Sequence, residues 1–302
     1  MPKINTISDI LGIEYPIIGA PMFMVSYEEL AVAVSEAGGL GCIPLPNYRT
    51  IDELKSALSN IRRATSKPIG VNIHLSGKFD WREQLKVCLD AGVDLFITSL
   101  GDPSIVVKDI HDYEAKIFTS VSSLKHALEA EKKGVDGIIA VGYGAGGHGG
   151  NISTMVLVPC LAEKTNLPIV AAGGIATGAQ MAAAFCLGAC GVVIGTRLIA
   201  SLEARASREY KQAVIEASAE DIVYTDRITG NFANWIRKSI VGWNGPPDLD
   251  SEEWKNLWSA GQSVAQVNEI KKAGEIIKEI MEDFKRVSKE LEKVIASLPR
   301  DK

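Results

Sequence analysis

The chain has 302 residues, of which 46% are hydrophobic and 23% charged, with a formal net charge of −5. That is globular composition, long enough to bury a large core without disulfides, and it excludes a disordered chain. The acidic balance argues against nucleic acid as the main partner, because phosphate backbones need a basic surface, and no apolar run approaches the roughly 20 residues of a membrane span.

Short, continuously apolar, β-rich runs recur along the chain, each followed by an amphipathic helical stretch. Strands are predicted over 15–22, 40–45, 68–75, 93–100, 115–121, 135–141, 168–172 and 191–198. The helices between and after them are predicted over 27–37, 51–64, 81–91, 104–112, 124–133, 156–164, 178–187 and 208–217. Three joints share one grammar, a helix ending in Gly just before a strand: Ala91-Gly92-Val93, Lys133-Gly134-Val135 and Leu187-Gly188-Ala189. Glycine supplies the left-handed cap that stops a helix. Strands apolar on both faces and alternating with helices imply parallel pairing with right-handed crossovers. Eight such units predict an α/β fold, a closed (β/α)8 TIM barrel. The competing open doubly wound sheet places its Gly-rich turn after the first strand, where this chain has Gly19-Ala20-Pro21-Met22.

The predicted barrel occupies residues 1–218, and residues 219–302 form a C-terminal extension ending in a long helix. Within the extension, 220–258 reads as irregular structure laid over the barrel, and 269–298 as a charged helix. Its residues Ile277, Ile280, Phe284, Val287, Leu291, Val294 and Leu298 alternate spacings of three and four, a heptad seam. Two readings stay open for that seam: packing on its own barrel, or a subunit contact in a homodimer. Five scattered cysteines (Cys42, Cys88, Cys160, Cys186 and Cys190) fit a reducing compartment. Cys186 and Cys190, four apart in an Ala-rich run, read as a buried helix face rather than a metal site. Met1-Pro2-Lys3-Ile4-Asn5 shows no secretory pattern. A cytoplasmic protein without bound metal and without a membrane or nucleic-acid partner is expected.

Barrel enzymes work at the C-terminal ends of their strands. After the seventh comes Ala171-Ala172-Gly173-Gly174-Ile175, and after the eighth Ile194-Gly195-Thr196-Arg197. Glycines at these two consecutive strand ends let backbone N–H groups approach an anion, and Thr196 adds a hydroxyl, so phosphate binding is expected there. The loop after the sixth strand, 142–150, holds six glycines around His148. An imidazole there can exchange a proton or hold an anion, and the surrounding glycines let a flat ligand lie on the backbone; the bland alternative is a flexible loop with an incidental histidine. His74, at the end of the third strand, is a further candidate, whereas His111 and His126 fall on outer, solvated helices. Ala20, Pro21 and Met22 offer backbone and an apolar wall. Asn72 either bonds a heteroaromatic edge or braces a loop. No acyl-transfer triad spacing, HExxH or CxxC is present. With so few reactive groups of its own, the chain is expected to use an organic cofactor carrying a phosphate.

These segments resemble the nitronate monooxygenase (2-nitropropane dioxygenase) family of FMN-dependent barrels, and are similar also to its flavin-dependent enoyl-ACP reductase and NADH:quinone reductase relatives. The resemblance runs from about Ile13 to Gln262. It is carried by Tyr15-Pro16-Ile17-Ile18-Gly19-Ala20-Pro21-Met22, Gly70-Val71-Asn72, Ala145-Gly146-Gly147-His148-Gly149-Gly150, and the two late glycine turns. Asp221-Ile222-Val223-Tyr224-Thr225-Asp226 with Asn234-Trp235, and Trp258-Ser259-Ala260-Gly261-Gln262, look like the monooxygenase branch. The resemblance implies FMN, its phosphate on Gly173, Gly174, Gly195 and Thr196. Ala20, Pro21, Met22, Asn72, Gly146 and Gly147 would then line the ring, and Gln262 would close the pocket. His148 matches the family's proposed acid/base or substrate anchor. The implied reaction is oxidation of a small nitronate anion with O2 to a carbonyl compound and nitrite. The alternatives are NAD(P)H-dependent reduction of an enoyl-ACP or quinone, and a non-catalytic flavin or phosphate-ligand binder. Two departures stand out: Ser120 occupies the place of a lysine found in quinone-reductase relatives, and Gly-Ala-Pro-Met replaces the Gln-Gly-Gly-Met typical of the enoyl-ACP branch.

Overall fold

The computed structural model describes residues 6–75, 81–248 and 251–298; the N-terminal pentapeptide read above lies outside them. Eight parallel strands form one sheet: β1 (Ile17–Gly19), β2 (Gly41–Pro44), β3 (Ile69–His74), β4 (Leu95–Ser99), β5 (Lys116–Val121), β6 (Gly137–Val141), β8 (Ile169–Ala172) and β9 (Gly191–Ile194). A short strand, β7 (Gly147–His148), lies outside this sheet. The order β1-β9-β8-β6-β5-β4-β3-β2 closes through a parallel bridge between Ile18 and Leu40. There the Gly19 N–H donates to the Leu40 carbonyl and the Leu40 N–H to the Ile17 carbonyl, both at 2.9 Å. The result is the expected (β/α)8 barrel.

The helices also follow the pattern: α2 (Glu28–Glu36), α3 (Ile51–Ala64), α4 (Trp81–Asp90), α5 (Ser104–Asp112), α6 (Leu124–Lys132), α7 (Thr154–Ala162), α8 (Gly178–Cys186) and α10 (Arg208–Glu216). Local chemistry sets several of their ends. Thr50 and Glu53 close a reciprocal capping box at the start of α3, and Thr177 with Gln180 does the same for α8. Gly92, Gly134 and Gly188 take φ of +65°, +80° and +100°, as the helix-stop reading requires.

Period-two alternation divides the strands between two cores. Ile18, Leu40, Cys42, Leu95, Ile97, Phe118, Ile139, Val170 and Ala172 fill the barrel interior. Val71, Phe96, Ile117, Ile138, Ala171 and Val192 face the helical shell. Each fully buried Val, Leu, Ile or Phe among them contributes roughly 1.5–3 kcal/mol of burial free energy. A helix absent from the sequence reading, α1 (Ile7–Leu11), adds Ile7 and Leu11 to the interior cluster, and the Ile7 N–H bonds the Cys190 carbonyl at 3.0 Å.

Three expectations need correction. The eighth strand stops at Ile194, because a helical turn, α9 (Thr196–Ile199), begins two residues later. Cys186 and Cys190 do not share a buried helix face: Cys186 ends α8 exposed to solvent, while Cys190 is buried in the following turn. Segment 220–258 is not merely irregular. It contains a hairpin, β10 (Ile222–Thr225) and β11 (Ala233–Ile236), whose second strand pairs antiparallel with β7. Hydrogen bonding across 85 residues, from His148 to Ala233, is invisible to a local pattern.

The long helix α11 (Ala273–Ser297) shares its seam between two environments. Ala273, Ile276, Ile277, Ile280 and Met281 are buried against the barrel helices, and the contact with α8 is so close that a Cβ on Gly178 would lie 2.0 Å from the Phe284 nitrogen. Beyond them Leu291, Val294, Ile295 and Leu298 are 42–60% exposed. Packing on its own barrel is therefore correct for the first half of α11.

Candidate functional site

A cavity of about 1760 Å³ opens at the C-terminal ends of the strands, between the barrel and the extension. Ala20, Pro21, Met22, Asn72, Gly146, Gly147, His148, Gly173, Gly174, Gly195 and Thr196 all line it. Backbone on the barrel side forms its floor. Gly173 has φ +103°, and a Cβ there would lie 2.7 Å from the Ala145 nitrogen and 2.8 Å from the Gly142 oxygen, so only glycine fits. Gly195 immediately precedes α9, whose first N–H groups have no intrahelical acceptor. The buried Thr196 hydroxyl accepts from the Gly261 N–H at 2.9 Å, which leaves its one proton to donate. This end of the cavity can therefore hold a phosphate on uncharged donors. Gly174 is less available than the sequence implied, since its N–H donates to the Gly144 carbonyl at 3.2 Å.

The loop after β1 is braced by polar groups the sequence did not single out. The Ser26 hydroxyl donates to the Ala20 carbonyl at 2.8 Å and accepts from the Met22 N–H at 3.1 Å. Asn47 accepts from the Met24 N–H at 2.7 Å and donates to the Ser26 carbonyl at 2.9 Å. These bonds hold Met24 at φ +57°, the left-handed region that costs a non-glycine residue of order 1 kcal/mol or more. Asn72 does brace a strand: its NH2 donates to the Ile97 carbonyl at 3.0 Å and to the Ser99 hydroxyl at 3.2 Å. What it can present to a ligand is its carbonyl oxygen. Ser120 also lines the cavity.

The extension clamps the glycine loop. Buried Asn234 donates to the Tyr143 carbonyl at 2.6 Å and the Ala145 carbonyl at 2.7 Å. The Ser259 hydroxyl accepts from the Gly147 N–H at 2.6 Å and donates to the Asn234 carbonyl at 2.9 Å. The Tyr210 hydroxyl donates to the Ser259 carbonyl, and burial pushes its phenol well above the usual range. Tyr224 stacks on Phe232, meets Tyr143 edge-on and donates to the Gly149 carbonyl at 2.9 Å. Six glycines in nine residues would otherwise leave this loop with a large conformational entropy. Tyr224, Asn234 and Ser259 entered the sequence reading only inside segments of resemblance; Tyr210 and Asn47 gave no signal because their partners are distant in sequence.

His148 sits on β7 at the edge of the cavity, solvent-accessible, with Nε2 2.9 Å from the Thr229 hydroxyl. His74 lines the same cavity. His126, placed above on an outer helix, is exposed as expected but also reaches the rim, beside Glu129 and Lys133. His111 pairs with Asp136 at 3.0 Å, away from the lining. Gln262 stands outside the wall: its N–H ties the Gly144 carbonyl at 3.0 Å, and Ser259 and Ser263 form the lining there.

Arg205 on the lining is paired within the chain. Arg205 lies 4.1 Å over the Tyr27 ring and pairs with Glu29 at 2.9 Å and Glu28 at 3.3 Å. Desolvation acts to lower its pKa, but the two carboxylates outweigh it and raise it. Phe23 and Trp254 pack edge-to-face at 6.0 Å on the apolar part of the lining. Buried Trp235, 6% exposed, also contributes, and its Nε1–H has no hydrogen-bond partner among the described residues.

Known proteins resemble this chain in sequence and in fold. A family model described as nitronate monooxygenase matches residues 5–80 and 75–250. A probable nitronate monooxygenase of Staphylococcus saprophyticus is 30% identical over 286 residues, covering 79% of this chain and 80% of the relative. A 5-hydroxy-7a-methyl-1-oxo-octahydro-1H-indene-4-carboxyl-CoA dehydrogenase of Mycobacterium tuberculosis is 30% identical over 238 residues; the match spans 78% of this chain but only 66% of that protein. The structure of FabK from Thermotoga maritima superimposes with a TM-score of 0.85 at 34% identity, covering 95% of this chain and 98% of the other. The nitroalkane oxidase of Streptomyces ansochromogenes shares the fold, with a TM-score of 0.84 at 24% identity over 94% and 99% of the two chains. The family match across both barrel and extension shows that the chain belongs to the nitronate monooxygenase family and is an oxidoreductase of that type.

Proposed function

We propose that the cavity binds FMN and that the enzyme oxidises small alkyl nitronates with O2, giving a carbonyl compound and nitrite. The observation that carries this reading is the placement of His148 on the same cavity as the glycine floor of Gly173 and Gly195. A volume of about 1760 Å³ exceeds the usual 300–1,000 Å³ of a small-ligand pocket, so a flavin and a substrate fit together. The phosphate would rest on Gly173, Gly195 and Thr196, and the ring on Ala20, Pro21, Met22, Gly146 and Gly147, with the Asn72 oxygen as an acceptor. When bound, the flavin supplies the electron acceptor that these side chains lack. In its protonated form His148 binds the nitronate anion by an N–H bond, and it holds or returns that proton at its ring nitrogen. Phe23, Met24 and Trp254 add apolar surface to the cavity wall.

Purified holoprotein should be yellow and should release nitrite from propionate 3-nitronate or propyl-2-nitronate under O2. Absence of nitrite from both, with flavin bound, overturns the reading. Two observations favour a second reading, NAD(P)H-dependent reduction of an enoyl thioester or quinone. The cavity has room beyond a flavin and a small anion, and a 30%-identical relative is named as a carboxyl-CoA dehydrogenase. Rapid anaerobic bleaching of the flavin by NADH would establish it.

A further inference from the structure

The loop joining β10 to β11 carries information about which atom of His148 handles the proton. Thr229 lies on this loop, its Oγ1 2.9 Å from His148 Nε2. The same oxygen is 3.0 Å from the Asn231 carbonyl oxygen and 3.4 Å from the Asn231 nitrogen. A hydroxyl has one proton and two lone pairs, a carbonyl only accepts, and a backbone N–H only donates. All three contacts are satisfied together in a single arrangement. The hydroxyl proton goes to the Asn231 carbonyl, and the two lone pairs take the Asn231 N–H and an Nε2–H. In the reverse arrangement the hydroxyl donates to Nε2, and two oxygen lone pairs are left facing each other at 3.0 Å.

We infer that Thr229 is a positioning residue that holds neutral His148 as its Nε2–H tautomer, making Nδ1 the basic atom. This rests on the reading of His148 as the imidazole of the site. The hydroxyl is well placed for the task. Its loop closes through a Gly230 N–H bond to the Asp226 carbonyl at 2.8 Å, with Gly230 at φ +77°. Phe232 stacks on Tyr224 at 5.0 Å, and Ala233 is in register with His148 itself. Both partners of the 2.9 Å contact are thus fixed by one small sheet. The contact also survives a proton cycle: adding a proton at Nδ1 leaves Nε2–H a donor, so Thr229 need not move.

The test uses full-length holoenzyme labelled with 15N-histidine. There are four histidines in the chain, and the His148 signals are assigned by their loss in His148→Asn. In the wild type, at a pH where the ring is neutral, Nε2 should show the shift of a protonated ring nitrogen and Nδ1 that of an unprotonated one. Thr229→Val keeps the shape but removes the acceptor; it should move both shifts toward tautomer-averaged values and lower kcat roughly tenfold. Thr229→Ser should restore both. A protonated Nδ1 in neutral wild-type enzyme, or the same single tautomer in Thr229→Val, overturns the inference. Undiminished turnover in His148→Asn would instead overturn the proposed function, while the nitrogen shifts still decide the tautomer.

Discussion

The two walls of the cavity are built on opposite principles. On the barrel side, Gly173 and Gly195 offer main chain alone, and the shape depends on the absence of side chains. On the extension side, Asn234, Ser259, Tyr224 and Thr229 act through side-chain hydrogen bonds. On the barrel wall the strand ends set the glycine floor, and the Thr154 hydroxyl donates to the Gly173 carbonyl at 2.8 Å. The glycine loop between the walls has no regular structure beyond β7 to hold it, and the extension supplies what is missing. With the proposed flat, phosphorylated cofactor bound, an oxidoreductase would gain from bare backbone beneath it. It needs side chains only where a proton or an anion is handled.

Substitutions can break this contrast at either wall. The largest effect is expected at their junction. His148→Ala should retain bound cofactor while turnover falls by roughly 10²–10⁴-fold; steady-state kinetics on flavin-replete protein checks this, and unchanged kcat removes His148 from the chemistry. On the barrel side, Gly173→Ala places a Cβ at φ +103° and 2.7 Å from backbone. We expect a loss of about 1–3 kcal/mol, with flavin content in the purified protein falling alongside the melting temperature. On the extension side, Asn234→Ala strands the Tyr143 and Ala145 carbonyls, at a cost of about 1–3 kcal/mol. Urea titration should show the loss, and hydrogen exchange should speed up in 142–150 before it does in β8 or β9. If exchange rises equally in both, the loop is not held separately from the barrel. The smallest effect is expected far from either wall: Val294→Ala, at a position 57% exposed on α11, should leave stability within about 0.5 kcal/mol. A larger loss at high protein concentration only would show that another surface covers that half of the helix.

What was legible beforehand follows the range of the interactions involved. The Gly92, Gly134 and Gly188 stops and the apolar runs are written within a few residues, and the structure keeps all eight barrel strands and their helices. The eighth strand was overextended because β-branched Thr196 and apolar Leu198 follow the run Val192-Val193-Ile194 with only one charge among them. Only the turn into α9, packed under Gly261, decides otherwise. The glycine turns at the ends of β8 and β9 and His148 were readable as a site because barrel topology orders strand ends around one mouth. The hairpin was missed because its partner, β7, is two residues long and separated from it by some 85 positions. Gln262 was placed by resemblance on the wall, where the chain instead turns Ser259 and Ser263 inward.

The sequence by itself determined the repeating strand–helix order, the barrel that this order requires, and the residue types gathered at its mouth, since periodicity and helix caps act over one or two turns of chain. Tertiary structure alone decided which donor meets which acceptor. The Gly147 N–H reaches the Ser259 hydroxyl across 112 residues and His148 reaches Thr229 across 81. A hydrogen bond is specified by distance and angle in space, to within a few tenths of an ångström, and no spacing along the chain encodes that.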